Sequence, residues 1–194
     1  MQRICVFCGS NMGSRSSYRQ MAEALGKALV QQQMELVYGG GKVGLMGVVA
    51  DAVLAAGGRV IGVIPQALMD KEVGHTGLSD LRVVNSMHDR KALMADLADG
   101  FIAMPGGFGT FEEFCEVVTW TQLGFHQKPC GLLNIDGFYD PLIAMFDHAT
   151  AEQFIRPVHR SLVFAANEPE ALLNMLRSYQ PTTTNKWGIA ELGR

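Results

Sequence analysis

Phe101-Ile102-Ala103-Met104-Pro105-Gly106-Gly107-Phe108-Gly109-Thr110 decides the fold. An apolar run of four breaks at Pro105 into three glycines within four positions. Helical periodicity then resumes over Phe111–Leu123. Apolar positions that do not alternate with polar ones mark a strand buried on both faces, hence a parallel strand covered by helices. A strand, a short glycine loop and a helix make up one βα unit.

Outward from this unit the same pattern repeats. Strands are expected over Arg3–Phe7, Leu36–Tyr38, Arg59–Ile64, Leu81–Val84, Gly131–Asn134 and Ser161–Phe164. Helices are expected over Tyr18–Gln33, Leu45–Ala56, Asp89–Ala98, Tyr139–Thr150 and Pro169–Ser178. Strict βα alternation predicts an α/β fold, a Rossmann-like doubly wound parallel sheet in a single domain over residues 1–180. Residues 181–194 read as a loosely ordered tail. Gln66–Asp80 is the longest irregular stretch and reads as a lid.

The 194 residues carry 16 Lys and Arg against 19 Asp and Glu, with 48% hydrophobic residues. No basic cluster offers a footprint for nucleic acid. No run is long enough to span a membrane, and the amino-terminal apolar run is too short for a signal peptide, so a cytoplasmic protein is expected. Cys5 and Cys8 form C-x-x-C, but residues three apart in a strand face opposite sides. Without a second such pair, four free thiols and no metal are the reading. The five histidines have no ligand spacing and read mostly as surface residues.

Ligands of open α/β sheets bind at the carboxyl ends of the strands. Four post-strand segments therefore converge: Gly9-Ser10, Gly39-Gly40-Gly41, Ser86–Lys91 and Pro105–Thr110. Gly39–Gly44 fits G-x-G-x-x-G, yet the next strand ends without the acid a dinucleotide ribose needs. It also belongs to the second βα turn, so an NAD-linked oxidoreductase is disfavoured. These glycines either pack backbone on helix or, as favoured here, let a ligand approach closely. The Pro105–Thr110 loop exposes N–H groups at a helix start, an anion site. No Lys follows its last glycine, so it is not a nucleoside triphosphate loop. Thr110 and Glu113 spell a capping box. The paired carboxylates Glu112 and Glu113 beside an anion site point instead to chemistry on the ligand. Arg90 and Lys91 at a helix start oppose the helix dipole. An anion-facing Arg90 is favoured over a solvated pair.

Met87-His88-x-Arg90-Lys91 with Pro105-Gly106-Gly107-x-Gly109-Thr110-x-x-Glu113 resembles the "lonely guy" (LOG) family of cytokinin riboside 5'-monophosphate phosphoribohydrolases. The similarity runs from about Arg3 to Ser178 and includes Cys8-Gly9-Ser10, Gly39-Gly40-Gly41 and Thr119-Trp120-x-Gln122-Leu123-Gly124. The resemblance implies hydrolysis of the N-glycosidic bond of an N6-modified adenosine 5'-monophosphate, with no cofactor and in a homodimer. It implies Glu113 and Arg90 as catalytic residues. It places the phosphate on Gly106, Gly107, Gly109 and Thr110, with further substrate contacts at Ser10, Gly41, Glu72, Lys91, Glu112 and Thr119. Members are often labelled lysine decarboxylases; no Lys here has the setting of a Schiff-base residue. Two other readings stay open: a plain AMP nucleosidase, and a nucleotide-binding sensor or carrier without turnover.

Overall fold

The computed structural model describes residues 1–71 and 74–181. Glu72 and the tail beyond Pro181, both singled out in the sequence, lie outside the described residues. Seven strands form one parallel sheet: β1 Arg3–Phe7, β2 Glu35–Tyr38, β3 Val60–Pro65, β4 Asp80–Val84, β5 Gly100–Ala103, β6 Cys130–Leu133 and β7 Val163–Ala166. Their order is β4-β3-β2-β1-β5-β6-β7. The helices are α1 Ser16–Gln31, α2 Gly44–Ala55, α3 Gln66–Met69, α4 Met87–Leu97, α5 Phe108–Leu123, α6 Asp140–Ala151, α7 Pro157–Arg160 and α8 Pro169–Ser178.

Residues on the central strands alternate between two cores. Ile4, Val6 and Cys8 pack with α1, α2 and α8 on one face. Cys5 and Phe7 pack with α4 and α5 on the other, with the aromatic and aliphatic residues of α6 beside them. The three-layer, doubly wound α/β architecture read from the apolar strands is therefore present. Cys5 and Cys8 sit in opposite cores as free thiols.

The chain builds outward from β1 in one direction through β2, β3 and β4, then in the other through β5, β6 and β7. The reversal lies between β1 and β5, which pair directly, Ile4 with Gly100 through Phe7 with Ala103. Such a reversal leaves a crevice at the strands' carboxyl ends, because the two loops leave for opposite faces.

Differences from the sequence reading are local. The last strand runs two residues later than Ser161–Phe164. Helices α4 and α5 each begin earlier than expected, at Met87 and Phe108. Gln66–Asp80 is not irregular throughout: it opens with α3, Gly74 bridges Gly41, and the His75 amide donates to the Gly40 carbonyl at 2.8 Å. Two histidines, His75 and His159, are buried rather than surface residues. The His75 ring explains its own burial. Its Nδ1 accepts from the Gly77 amide at 3.1 Å, so Nε2 carries the proton and donates to Asp51 at 2.9 Å. Among the described residues no helix is long and apolar enough to cross a membrane.

Phe101 is fully buried on central β5 and stacks on Phe7 with centroids 6.0 Å apart. Phe101→Ala is expected to cost about 3–5 kcal/mol, read as a lowered urea midpoint with an unchanged m-value.

Candidate active site

The crevice is lined by loops that only glycine lets meet. The Gly9 amide donates to the Pro105 carbonyl at 3.0 Å, tying the β1 loop to the β5 loop. A Cβ on Gly9 would come within 3.3 Å of the Gly106 Cα. The Leu45 amide at the start of α2 donates to the Gly9 carbonyl at 3.0 Å. Gly44, at φ +62°, lies so close that a Cβ would stand 2.2 Å from the Ser10 carbonyl carbon. Ser10, Gly44 and Gly106 are thus brought together.

Gly39 and Gly40, after β2, make room for protein neighbours. A Cβ on Gly39 would sit 1.9 Å from the Arg90 guanidinium, and one on Gly40 would crowd Val63 and Ile64. The expectation that this stretch opens the backbone to a ligand is corrected for Gly39, Gly40 and Gly44: each is closed by a protein neighbour. Gly41 is held in its bridge to Gly74.

The β5 loop is different. Gly107 is the N-cap of α5 and offers no side-chain cap, so the amides of Phe108, Gly109 and Thr110 begin the helix without an acceptor from the preceding turn. A Cβ on Gly107 or Gly109 would meet nothing within 4 Å. Gly106 is the reverse, since a Cβ there would lie 2.1 Å from the Thr110 Oγ1. Open space thus faces the amides of a helix start, whose partial positive charge attracts an anion.

The capping box is overturned. Because α5 starts at Phe108, Thr110 is its third residue and cannot be the N-cap. Thr110 is buried under Gly106, and Glu113, also buried, faces Arg90 instead of reaching back. The Arg90 Nη1 and Glu113 Oε1 are 3.1 Å apart, with only about a tenth of either side chain exposed. Arg90 is further fixed by its Nε, which donates to the Val63 carbonyl at 3.1 Å. Three elements set it: α4 carries it, β3 holds its root and Gly39 gives it room. Burial raises the Glu113 pKa above the usual glutamate range, and the Arg90 charge opposes that rise.

The remaining candidates lie on the outer side of the pair. Lys91 Nζ bridges Glu112 at 2.5 Å and Glu116 at 3.0 Å, linking α4 to α5. Its pKa is raised: desolvation opposes, and the hydrogen bonds to both glutamates outweigh it. The Thr119 hydroxyl donates to the Cys115 carbonyl at 2.7 Å on exposed helix surface. Lys91 and Glu112 are therefore joined to each other across α4 and α5, apart from the buried pair, while Thr119 bonds within α5. Among the described residues no cluster of three metal-binding side chains occurs. Sequence reading passed over the slot that Gly39 makes for Arg90. Its signal was a glycine directly after a strand on the ligand edge.

A doubly wound α/β sheet whose crevice holds an uncapped helix start and, farther along that helix, a buried Arg–Glu pair suits an anionic ligand. The family model described as "Possible lysine decarboxylase" matches residues 46–176. A probable cytokinin riboside 5'-monophosphate phosphoribohydrolase of Oryza sativa subsp. japonica is 54% identical over 180 residues, covering 93% of this chain and 79% of that protein. A cytokinin riboside 5'-monophosphate phosphoribohydrolase of Arabidopsis thaliana is 49% identical, covering 93% and 83%. The molybdenum cofactor carrier protein of Chlamydomonas reinhardtii shares the fold, with a TM-score of 0.69, 21% identity and coverage of 92% and 99%. The chain belongs to the LOG family, which carries the lysine decarboxylase description in its family model.

That description implies pyridoxal phosphate, and the lysines engaged here do not fit it. Lys91 is bound by two carboxylates and Lys128 Nζ donates to the Ala95 carbonyl at 2.7 Å. A Schiff-base lysine must be free to lose its proton, and the paired carboxylates hold Lys91 charged.

Gly39→Ala is expected to displace the guanidinium without unfolding the chain, because the clash falls on the far end of a flexible side chain. Loss of the nearby positive charge then leaves burial unopposed, so the Glu113 titration moves further upward. Carboxyl carbon NMR across a pH series reads this; an unmoved midpoint would show that Arg90 had kept its place.

Proposed function

We propose that the protein hydrolyses the N-glycosidic bond of nucleoside 5'-monophosphates, an N6-substituted adenosine monophosphate foremost, to free base and ribose 5-phosphate. The observation that carries this reading is the buried carboxylate of Glu113, one turn into the helix whose open N-terminus suits a phosphate. Relatives about half identical over most of the chain bear the name of this activity.

The chemistry follows from charge. Cleavage at the anomeric carbon develops positive charge on the ribose ring. A carboxylate with little water around it stabilises that charge far better than one in bulk solvent. Glu113 is such a group, and it also serves to activate water or to attack the carbon. Arg90 opposes the effect of burial on that carboxylate and orients the nucleotide. The phosphate rests on Gly106, Gly107, Gly109 and Thr110, with Ser10 and Gly41 on the facing loops. Binding energy from this end positions the reacting bond. Lys91, Glu112 and Thr119 are assigned to the outer part of the substrate site, and Glu72 is a substrate contact on the family resemblance alone. The working form is a homodimer, with α5 near its interface, in the cytoplasm; residues 1–180 act as one nucleotide-binding unit.

Glu113→Gln and Arg90→Ala are each expected to lower turnover about a hundredfold or more while the circular dichroism spectrum stays unchanged. Near-normal turnover in Glu113→Gln would sink the reading. Wild-type turnover of adenosine 5'-monophosphate and its N6-isopentenyl derivative, compared side by side, separates the cytokinin-directed enzyme from a plain AMP nucleosidase. Absence of free base from both would indicate a sensor or carrier.

The pH profile supplies a second check. Glu113 works ionised and its pKa is raised, so activity is present above that raised value and lost as pH falls through it. The acid limb of kcat/KM therefore lies above the ordinary glutamate range. A limb within that range would assign the titration to another group.

A further inference from the structure

Tyr139 lies behind the anion cradle with its side chain fully buried between α5 and the end of β6. Its hydroxyl donates to the Met104 carbonyl at 2.6 Å. Met104 is the last residue before the cradle, and the next nitrogen belongs to Pro105, which has no N–H. At the end of a parallel strand this carbonyl would otherwise be a buried acceptor to satisfy. The following carbonyl, that of Pro105, accepts from Gly9 at 3.0 Å. Two successive carbonyls at the mouth of the cradle are therefore drawn into the protein. An incoming anion then meets amides rather than carbonyl oxygens.

Tyr139 is itself held at both ends. Its amide donates to Asn134 Oδ1 at 2.7 Å, and Asn134 Nδ2 donates to Asp140 at 2.7 Å. Its ring meets Phe138 at 5.0 Å and Phe111, in the first turn of α5, at 6.4 Å. The chain of contacts runs from the β6 loop, through the phenol, to the Met104 carbonyl and the start of α5.

Resting on the reading of Pro105–Thr110 as the phosphate site, we infer that Tyr139 is a positioning residue for phosphate recognition. Its hydroxyl fixes the peptide that sets the direction of the cradle's amides. Asn134 is the anchor that sets the phenol. Tyr139 touches no reacting atom, so its loss acts on binding of the phosphate end and leaves the bond-breaking step to Glu113 and Arg90.

Tyr139→Phe tests this, because it keeps the ring packing and removes only the donor. Steady-state turnover of adenosine 5'-monophosphate is measured with ribose 5-phosphate and adenine as competing products. The expected result is a rise of about tenfold in KM and in the ribose 5-phosphate Ki, corresponding to about 1.4 kcal/mol, with kcat and the adenine Ki near wild type. Asn134→Ala keeps the phenol but frees its backbone, and moves the same Ki in the same direction. Phe138→Leu disturbs the aromatic packing alone and lowers the melting temperature while leaving the ratio of the two Ki values intact. A wild-type ribose 5-phosphate Ki in Tyr139→Phe, or an equal rise in both Ki values, overturns the inference. Gly106→Ala, run in parallel, separates the two levels. If it raises the ribose 5-phosphate Ki while Tyr139→Phe does not, only the positioning role fails. If neither does, the cradle itself is misassigned.

Discussion

Everything at the carboxyl edge depends on the hydrogen bond from the Gly9 amide to the Pro105 carbonyl. It joins the loops of β1 and β5, the two strands between which the winding of the sheet reverses. The loops would otherwise diverge toward opposite faces. Once they are stitched, the start of α5 is placed beside the β1 loop, and Glu113 is carried to the strand ends. Arg90 arrives from the other side on α4, anchored on the Val63 carbonyl. The site is thus a meeting of four βα units held at one point.

The electrostatics follow from that placement. A carboxylate taken out of water is costly unless something offsets the loss. At Glu113 burial wins over the adjacent guanidinium, and the pKa stands above its usual range. The Lys91–Glu112–Glu116 group has a different character. Lys91 is enclosed, but Glu112 is more than half exposed. Exposed partners are screened by salt and contribute little to stability. Their use is to keep α4 and α5 in register, so that Arg90 and Glu113, one residue on along each helix from Glu112 and before Lys91, stay opposite each other.

The sheet was legible in the sequence because its five inner strands are buried on both faces, and apolar runs such as Val60–Ile64 have few other readings. The four-residue helices α3 and α7 were not, since one turn has no periodicity to detect. The start of α5 was misplaced because glycines look like loop. That three-residue error turned Thr110 into an apparent cap and Glu113 into its partner. The residue types at the site were readable, as Arg90, Glu113 and the Pro105–Thr110 loop show, but their neighbours were not. Arg90 meets Gly39 across 51 positions, and His75 meets Asp51 across 24. Tyr139 reaches Met104 across 35. No local pattern encodes contacts at those separations.

The slot beside Gly39 has a consequence for how variation will be tolerated. Positions in this molecule that cannot change fall into two kinds. At Arg90 and Glu113 a substitution removes the charged group or changes its reach. At Gly39, Gly44 and Gly106 the smallest substitution adds one carbon where the chain has no vacancy. A saturation scan would therefore score these glycines as severely as the charged pair, although they contribute no side-chain chemistry. At Gly107 and Gly109 the space is open on the protein side. Alanine there would fold freely and be penalised only when a ligand is present, so at those two residues, as at the charged pair, a scan run for folding and a scan run for activity would part.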